Sequence, residues 1–167
     1  MAVDAERVRI IESGEAGLFP SNVIWERRDV WGGETADLDA DGKSEMYLRS
    51  SRASQFRVFE SVADDEFVET AVLAHPFPGS AEFGDRQVVG DLDGDGWGEL
   101  LSGDDQGNLL LFESIADNAY RLVWSEVGQT AERQRGDRRV IGGGTDLDGD
   151  GRSEFVSCEF IEDLFEF

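Results

Sequence analysis

The nine residues Asp91-Leu92-Asp93-Gly94-Asp95-Gly96-Trp97-Gly98-Glu99 place carboxylates at positions 1, 3, 5 and 9 and a glycine at position 6. The same arrangement stands at Asp37-Leu38-Asp39-Ala40-Asp41-Gly42-Lys43-Ser44-Glu45 and at Asp146-Leu147-Asp148-Gly149-Asp150-Gly151-Arg152-Ser153-Glu154, with starts 54 and 55 residues apart. A second landmark runs through the gaps: Ile10-Ile11-Glu12-Ser13, Val58-Phe59-Glu60-Ser61 and Leu111-Phe112-Glu113-Ser114. Two landmarks in constant order define an internal repeat, and a period of this size marks a protein assembled from similar structural units.

Working outward from the middle loop, residues 86–89 lead into it and the leucine-rich residues 99–102 leave it. The turn Gly103-Asp104-Asp105-Gln106-Gly107 leads to residues 108–113, and Asp117-Asn118 leads to residues 120–124. Apolar runs this short, bounded by Gly, Asp and Asn, read as strands joined by tight turns. No segment holds apolar residues at helical spacing over three uninterrupted turns. The expectation is an all-β chain with four antiparallel strands per unit, which suits propeller blades better than solenoid rungs.

The acidic loops carry the chemistry. A hard cation such as Ca²⁺ takes six to eight oxygens, and alternate residues of a tight loop can turn their carboxylates to one centre. Glycine at position 6 allows the reversal that brings position 9 back to it. Asp37, Asp39, Asp41, the Lys43 carbonyl and Glu45 are the candidate ligands of a first ion. Asp91, Asp93, Asp95, the Trp97 carbonyl and Glu99 serve a second, and Asp146, Asp148, Asp150, the Arg152 carbonyl and Glu154 a third. Variation at position 7 agrees with a backbone contribution there. Plain acidic turns would crowd four carboxylates into nine residues, three times, with nothing gained. Magnesium fits less well, because it prefers an octahedron with retained waters. An EF-hand needs a bidentate Glu at position 12, where this chain has Leu48, Ser102 and Ser157, and it needs flanking helices.

These units resemble the FG-GAP or VCBS repeats that form β-propellers in integrin α-subunits and many secreted bacterial proteins. The middle unit matches most fully, with Phe83-Gly84 before its loop, Gly90 leading into it, and Leu100-Leu101-Ser102-Gly103 after it. The first unit departs by Ala40 and by lacking the Phe-Gly pair; the third has Val140-Ile141-Gly142-Gly143-Gly144 there. The resemblance implies a loop between the first two strands of each blade, holding calcium through the fifteen positions named. It also points outside the cell or to its surface, where millimolar calcium fills weak sites. Residues 1–6, Met1-Ala2-Val3-Asp4-Ala5-Glu6, lack the basic and apolar regions of a secretory signal, so the chain is either not exported or a piece of a longer exported one.

Aligned on these landmarks, residues 1–30 supply the outer strands of one blade, 31–80 and 81–130 two whole blades, and 131–167 the inner strands of a further one, with 164–167 as its third strand. Three units do not close a ring that normally needs four to eight blades. The chain is therefore expected to be part of a larger propeller, to pair as a homodimer of six blades, or to persist as an open arc.

Composition narrows the partners. Thirty-seven acidic residues against 15 basic ones give a net charge of −22, which repels phosphate backbones and anionic headgroups, so neither nucleic acid nor membrane insertion is expected. Twelve of the 37 acids lie in the three loops, so much of the excess is a metal-site signature. Cys158 is the only cysteine, which excludes an intramolecular disulfide and a cysteine zinc cluster. His75 is the only histidine and reads as a surface loop residue ahead of Pro76. No acid–base pair, partnered nucleophile or phosphate-cradling loop stands out. The main expectation is a non-catalytic module that presents loops to a protein or glycan. The alternative is the propeller part of a polysaccharide lyase or hydrolase. Trp31, Trp97, His75 and the stretch from Arg133 to Arg139 are the non-repeating residues such a site would draw on. The Arg-Gly-Asp tripeptide at 135–137 is too short to weigh.

Overall fold

The computed structural model describes residues 7–14, 17–50, 54–77, 82–127 and 138–159, with backbone only for 138–141 and 158–159. Among them are twelve strands and no helix. They are β1 (Val8–Glu12), β2 (Asn22–Arg27), β3 (Val30–Ala36), β4 (Glu45–Ser50), β5 (Gln55–Ala63) and β6 (Glu66–Ala74), then β7 (Phe83–Gly90), β8 (Glu99–Asp104), β9 (Leu109–Ala116), β10 (Ala119–Glu126), β11 (Arg138–Thr145) and β12 (Glu154–Glu159). The sheets follow the repeat. β3-β4-β5-β6 and β7-β8-β9-β10 are four-stranded antiparallel meanders, flanked by the pairs β1-β2 and β11-β12.

Register repeats with sequence. Position-9 Glu45 lies opposite Glu60 of the second landmark across β4 and β5, and Glu99 lies opposite Glu113 across β8 and β9. The period-2 alternation of a strand sends neighbouring side chains to opposite sheet faces. Met46, Leu48 and Phe59 accordingly face back toward β1 and β2, where Val8, Ile10 and Trp25 cover them. Tyr47, Phe56 and Val58 face forward and meet Phe83, Leu100, Leu110 and Phe112 of the next sheet. Val88, Leu101 and Leu109 form a third apolar layer, with Leu92 packed against it. The inner strands β3, β7 and β11 lie side by side in that order. Each sheet is thus an interior slab, and each layer between slabs supplies roughly 1.5–3 kcal/mol per buried large side chain.

Successive units are also tied through their loops. The Gly98 N–H donates to the Leu38 carbonyl of the preceding unit (2.8 Å), while within its own unit the Gly98 carbonyl accepts from the Ser114 N–H (2.9 Å). A Cβ at position 98 would meet Leu38 atoms at 2.6, 2.7 and 2.9 Å, one of them backbone. The other two loops carry serine at this position. Gly98→Ala is expected to lower stability by about 1–3 kcal/mol, read as a reduced urea midpoint. Arg49 adds a further tie: its guanidinium donates to the Phe83 carbonyl (2.6 Å), pairs with Asp85 (2.7 Å) and stacks on Trp31.

Candidate metal centres

Each acidic loop connects the first two strands of its sheet, so its ends are held 4.5–5.5 Å apart by strand pairing and its middle must double back. Positions 4 and 6 do so with left-handed backbone in all three loops: φ is 59° at Ala40, 82° at Gly94 and 84° at Gly149, and 91°, 96° and 89° at Gly42, Gly96 and Gly151. Ala40 therefore keeps the turn its neighbours make with glycine, at a cost of roughly 1–2 kcal/mol.

One hydrogen-bond scheme recurs. The amide of position 6 donates to the carboxylate of position 1, as from Gly42 to Asp37 Oδ2 (3.0 Å), Gly96 to Asp91 Oδ2 (3.1 Å) and Gly151 to Asp146 Oδ2 (2.8 Å). Position 5 donates to the carboxylate of position 3 in each loop, and position 7 to that of position 5. Position 9 is held by the amide of position 2: Leu38 to Glu45 Oε2 (3.2 Å), Leu92 to Glu99 Oε2, and Leu147 to Glu154 Oε2 (2.7 Å). Asp91 and Asp146 also accept an amide on Oδ1, from Gly94 (2.7 Å) and Gly149 (2.6 Å), so the backbone fixes the carboxylates in a converging arrangement. In every loop the four carboxylates bring one oxygen apiece within 4.8 Å of the others. Oxygens on opposite sides of a calcium ion stand about 4.6–5.2 Å apart, so the span fits that ion.

Burial sharpens the first two centres. Glu45 and Glu99 are fully buried, and Oε1 of each accepts no hydrogen bond. Burial, followed by the repulsion of the neighbouring aspartates, pushes both carboxyls up to about 7. A buried carboxylate oxygen without a donor costs several kcal/mol unless a cation meets it. Glu154 is only half-buried. The Tyr47 hydroxyl donates to Glu45 Oε2 (2.8 Å) and touches the Tyr120 hydroxyl (3.0 Å), bracing the first centre from the second unit.

Two contacts at the first centre have no counterpart in the repeat pattern. The Lys43 ammonium, on a residue expected to offer only its carbonyl, pairs with Asp41 Oδ2 (2.8 Å) and with Glu60. Its hydrogen bond to Asp41, then the one to Glu60, raises the Lys43 pKa, and Asp41 is lowered in turn. Asp41, Glu60 and Asp117 bring their oxygens together, but the lysine already fills the cation's place there. Asn118, at φ 53° in the turn between β9 and β10, donates its amide to Asp39 Oδ2 (2.7 Å) and its side chain to Glu60 Oε2 (2.6 Å). The tip of the second unit's outer hairpin thus grips the first unit's acidic loop.

His75 departs from its surface reading. It follows β6, as a loop residue should, yet its side chain is 2% exposed and its Nε2 lies 3.2 Å from Asp104 Oδ2. A carboxylate only accepts, so Nε2 carries the proton, while Nδ1 accepts from the Phe77 amide (3.2 Å). The ring packs on Phe83 and Phe77, so it pins the first unit to the second. Nothing in the local sequence signals this, because the carboxylate is 29 residues away in another sheet. Burial alone would push Asp104 up; hydrogen bonds from His75, from the Asn108 side chain and from the Asn108 and Gln106 amides outweigh it and hold the carboxyl below its ordinary range. A depressed pKa contributes stability above the unfolded value of about 3.9, and that stability is lost as pH falls through the folded value. Asp104→Asn is expected to cost about 2–4 kcal/mol at pH 7 and progressively less below pH 4, in urea titrations at both pH values.

Trp31 and Trp97 are both partly exposed, Trp31 under the Arg49 guanidinium and Trp97 within the second acidic loop. The Arg-Gly-Asp tripeptide and residues 164–167 lie outside the described residues. The chain matches no family model, no curated protein and no solved structure.

Proposed function

We propose that the chain is a calcium-stabilised β-propeller module of the FG-GAP or VCBS type, non-catalytic, presenting a surface to a protein or glycan outside the cell or on its surface. The observation that carries this is the threefold recurrence of one carboxylate cage, two of which include a buried glutamate with an oxygen that accepts no hydrogen bond. Asp37, Asp39, Asp41 and Glu45 hold the first ion, Asp91, Asp93, Asp95 and Glu99 the second, and Asp146, Asp148, Asp150 and Glu154 the third. The carbonyls of Lys43, Trp97 and Arg152 complete the coordination.

The cages sit at the connections between first and second strands, so the bound ion locks each connection and, through Asn118 and Gly98, the neighbouring unit. The metal's role is structural: binding free energy becomes folding free energy. Isothermal titration of metal-free protein with calcium is expected to give a stoichiometry of three, with terbium luminescence sensitised by Trp97 reporting the second centre. Absence of calcium uptake at millimolar concentration would overturn the reading. The partner class is tested by glycan-array and cell-surface binding, with binding expected in the absence of product release.

A further inference from the structure

We propose that Lys43 is a tethered cation that competes with calcium at the first centre and holds its affinity below that of the second. The inference rests on the calcium reading above, which both centres support through a fully buried glutamate, Glu45 or Glu99, whose Oε1 accepts no hydrogen bond. The two cages match in ligand set and in the burial of position 9. They differ at positions 3 and 5.

In the second loop Asp93 Oδ1 accepts from the Asp95 amide (3.1 Å) and Asp95 Oδ1 from the Trp97 amide (2.8 Å). Among the described residues nothing donates to Oδ2 of either. The first loop makes the same two bonds, from the amides of Asp41 (3.3 Å) and Lys43 (2.8 Å), but there the second oxygens are taken as well. Asp39 Oδ2 accepts from the Asn118 amide (2.7 Å), and Asp41 Oδ2 accepts from the Lys43 ammonium (2.8 Å). A neutral amide can share a carboxylate oxygen with a metal ion through the second lone pair, whereas a full positive charge there repels the ion.

The ammonium is anchored from its other side. Glu60, opposite Glu45 across β4 and β5, pairs with it, and the Glu60 side chain is 4% exposed. The second unit shows why a lysine is needed here. Its equivalent glutamate, Glu113, stands opposite Arg121 of β10 and pairs with it (3.0 Å), whereas Glu60 stands opposite Val68 of β6. Lys43 supplies from the loop the charge that β6 lacks. Its release into water would leave a buried carboxylate with only the Asn118 side chain (2.6 Å) as donor, so the ammonium stays when calcium arrives. An ion on Asp41 then stands roughly 5–7 Å from a like charge, given the usual length of a calcium–oxygen bond. A single charge facing a double one at that distance weakens binding about tenfold even with water-like screening. Calcium therefore fills the second centre before the first, and the contact between the first loop and the second unit depends on the metal less than the second loop does.

Calcium calorimetry on the full chain tests this with the other centres silenced. Glu99→Gln with Glu154→Gln leaves the first centre, and Glu45→Gln with Glu154→Gln leaves the second. The first is expected to bind about tenfold more weakly than the second. Adding Lys43→Gln to the first background is expected to remove that deficit, whereas Lys43→Arg, which keeps the charge, is expected to leave the affinity within about threefold of the lysine form. Lys43→Gln joined with Val68→Arg moves the counter-charge of Glu60 from the loop to β6, as in the second unit, and is expected to keep the gain with unchanged circular dichroism even where Lys43→Gln alone weakens the fold. A first centre as tight as the second, an affinity unmoved by either glutamine form, or equal gains from glutamine and arginine each overturn the proposal. Calcium uptake in neither background sinks the calcium reading and this proposal with it, a result distinct from those that sink the proposal alone.

Discussion

Removal of calcium by a chelator is expected to lower the thermal midpoint by roughly 15–30 °C. An ion that binds only the folded state adds about 2.7 kcal/mol per site at a hundredfold excess over Kd, so three sites add about 8 kcal/mol. A domain of this length shifts by about 2–4 °C per kcal/mol. The effect is large here because the metal-free loops hold four carboxylates each within mutual reach, opposed by backbone amides and, in the first loop alone, by the Lys43 ammonium. Magnesium at the same concentration is expected to restore only part of the loss, since it keeps its waters more tightly. Scanning calorimetry with calcium, magnesium and chelator checks this, and a midpoint indifferent to chelator would remove calcium from the protein's function.

Glu99→Gln is expected to gain stability in chelator and to lose most of that gain in calcium. In chelator the variant should be more stable than the parent by about 2–4 kcal/mol, because an amide replaces a buried carboxylate whose Oε1 has no donor. In calcium that advantage should shrink by the lost centre's contribution of about 2.7 kcal/mol at the same hundredfold excess, leaving variant and parent nearly equal. Urea titrations of parent and variant in the two buffers form the test. A buried glutamate retained for packing alone would give the same difference in both. Glu154→Gln, at a half-buried position, should lose calcium at its own centre but gain much less in chelator.

Much of this architecture is legible along the chain. Short apolar runs broken by Asp-Gly and Asp-Asn turns encode four strands per unit, and β3 to β6 and β7 to β10 form in that order. The three carboxylate sets were equally readable, because ligand spacing within one loop is a local property and the loop's own amides enforce it. Lys43, Asn118 and His75 were not readable in the same way. Their partners Glu60, Asp39 and Asp104 lie 17 to 79 residues away; pairing of β4 with β5 brings Glu60 to Lys43, and the stacking of one sheet on the next brings the other two pairs within hydrogen-bond distance.

The repeat itself marks the boundary. Leucine stands at position 2 of every acidic loop and glutamate at position 9, and strand periodicity with loop spacing assigns all six the same local role. Yet Leu38 is enclosed and Leu147 lies open, and Glu45 and Glu99 are sealed from water where Glu154 is not. Local chemistry sets which atoms can gather around a cation. Burial sets how strongly that gathering matters, and burial depends on which sheet lies in front, a relation between units that the shared pattern of the nine-residue loops cannot encode.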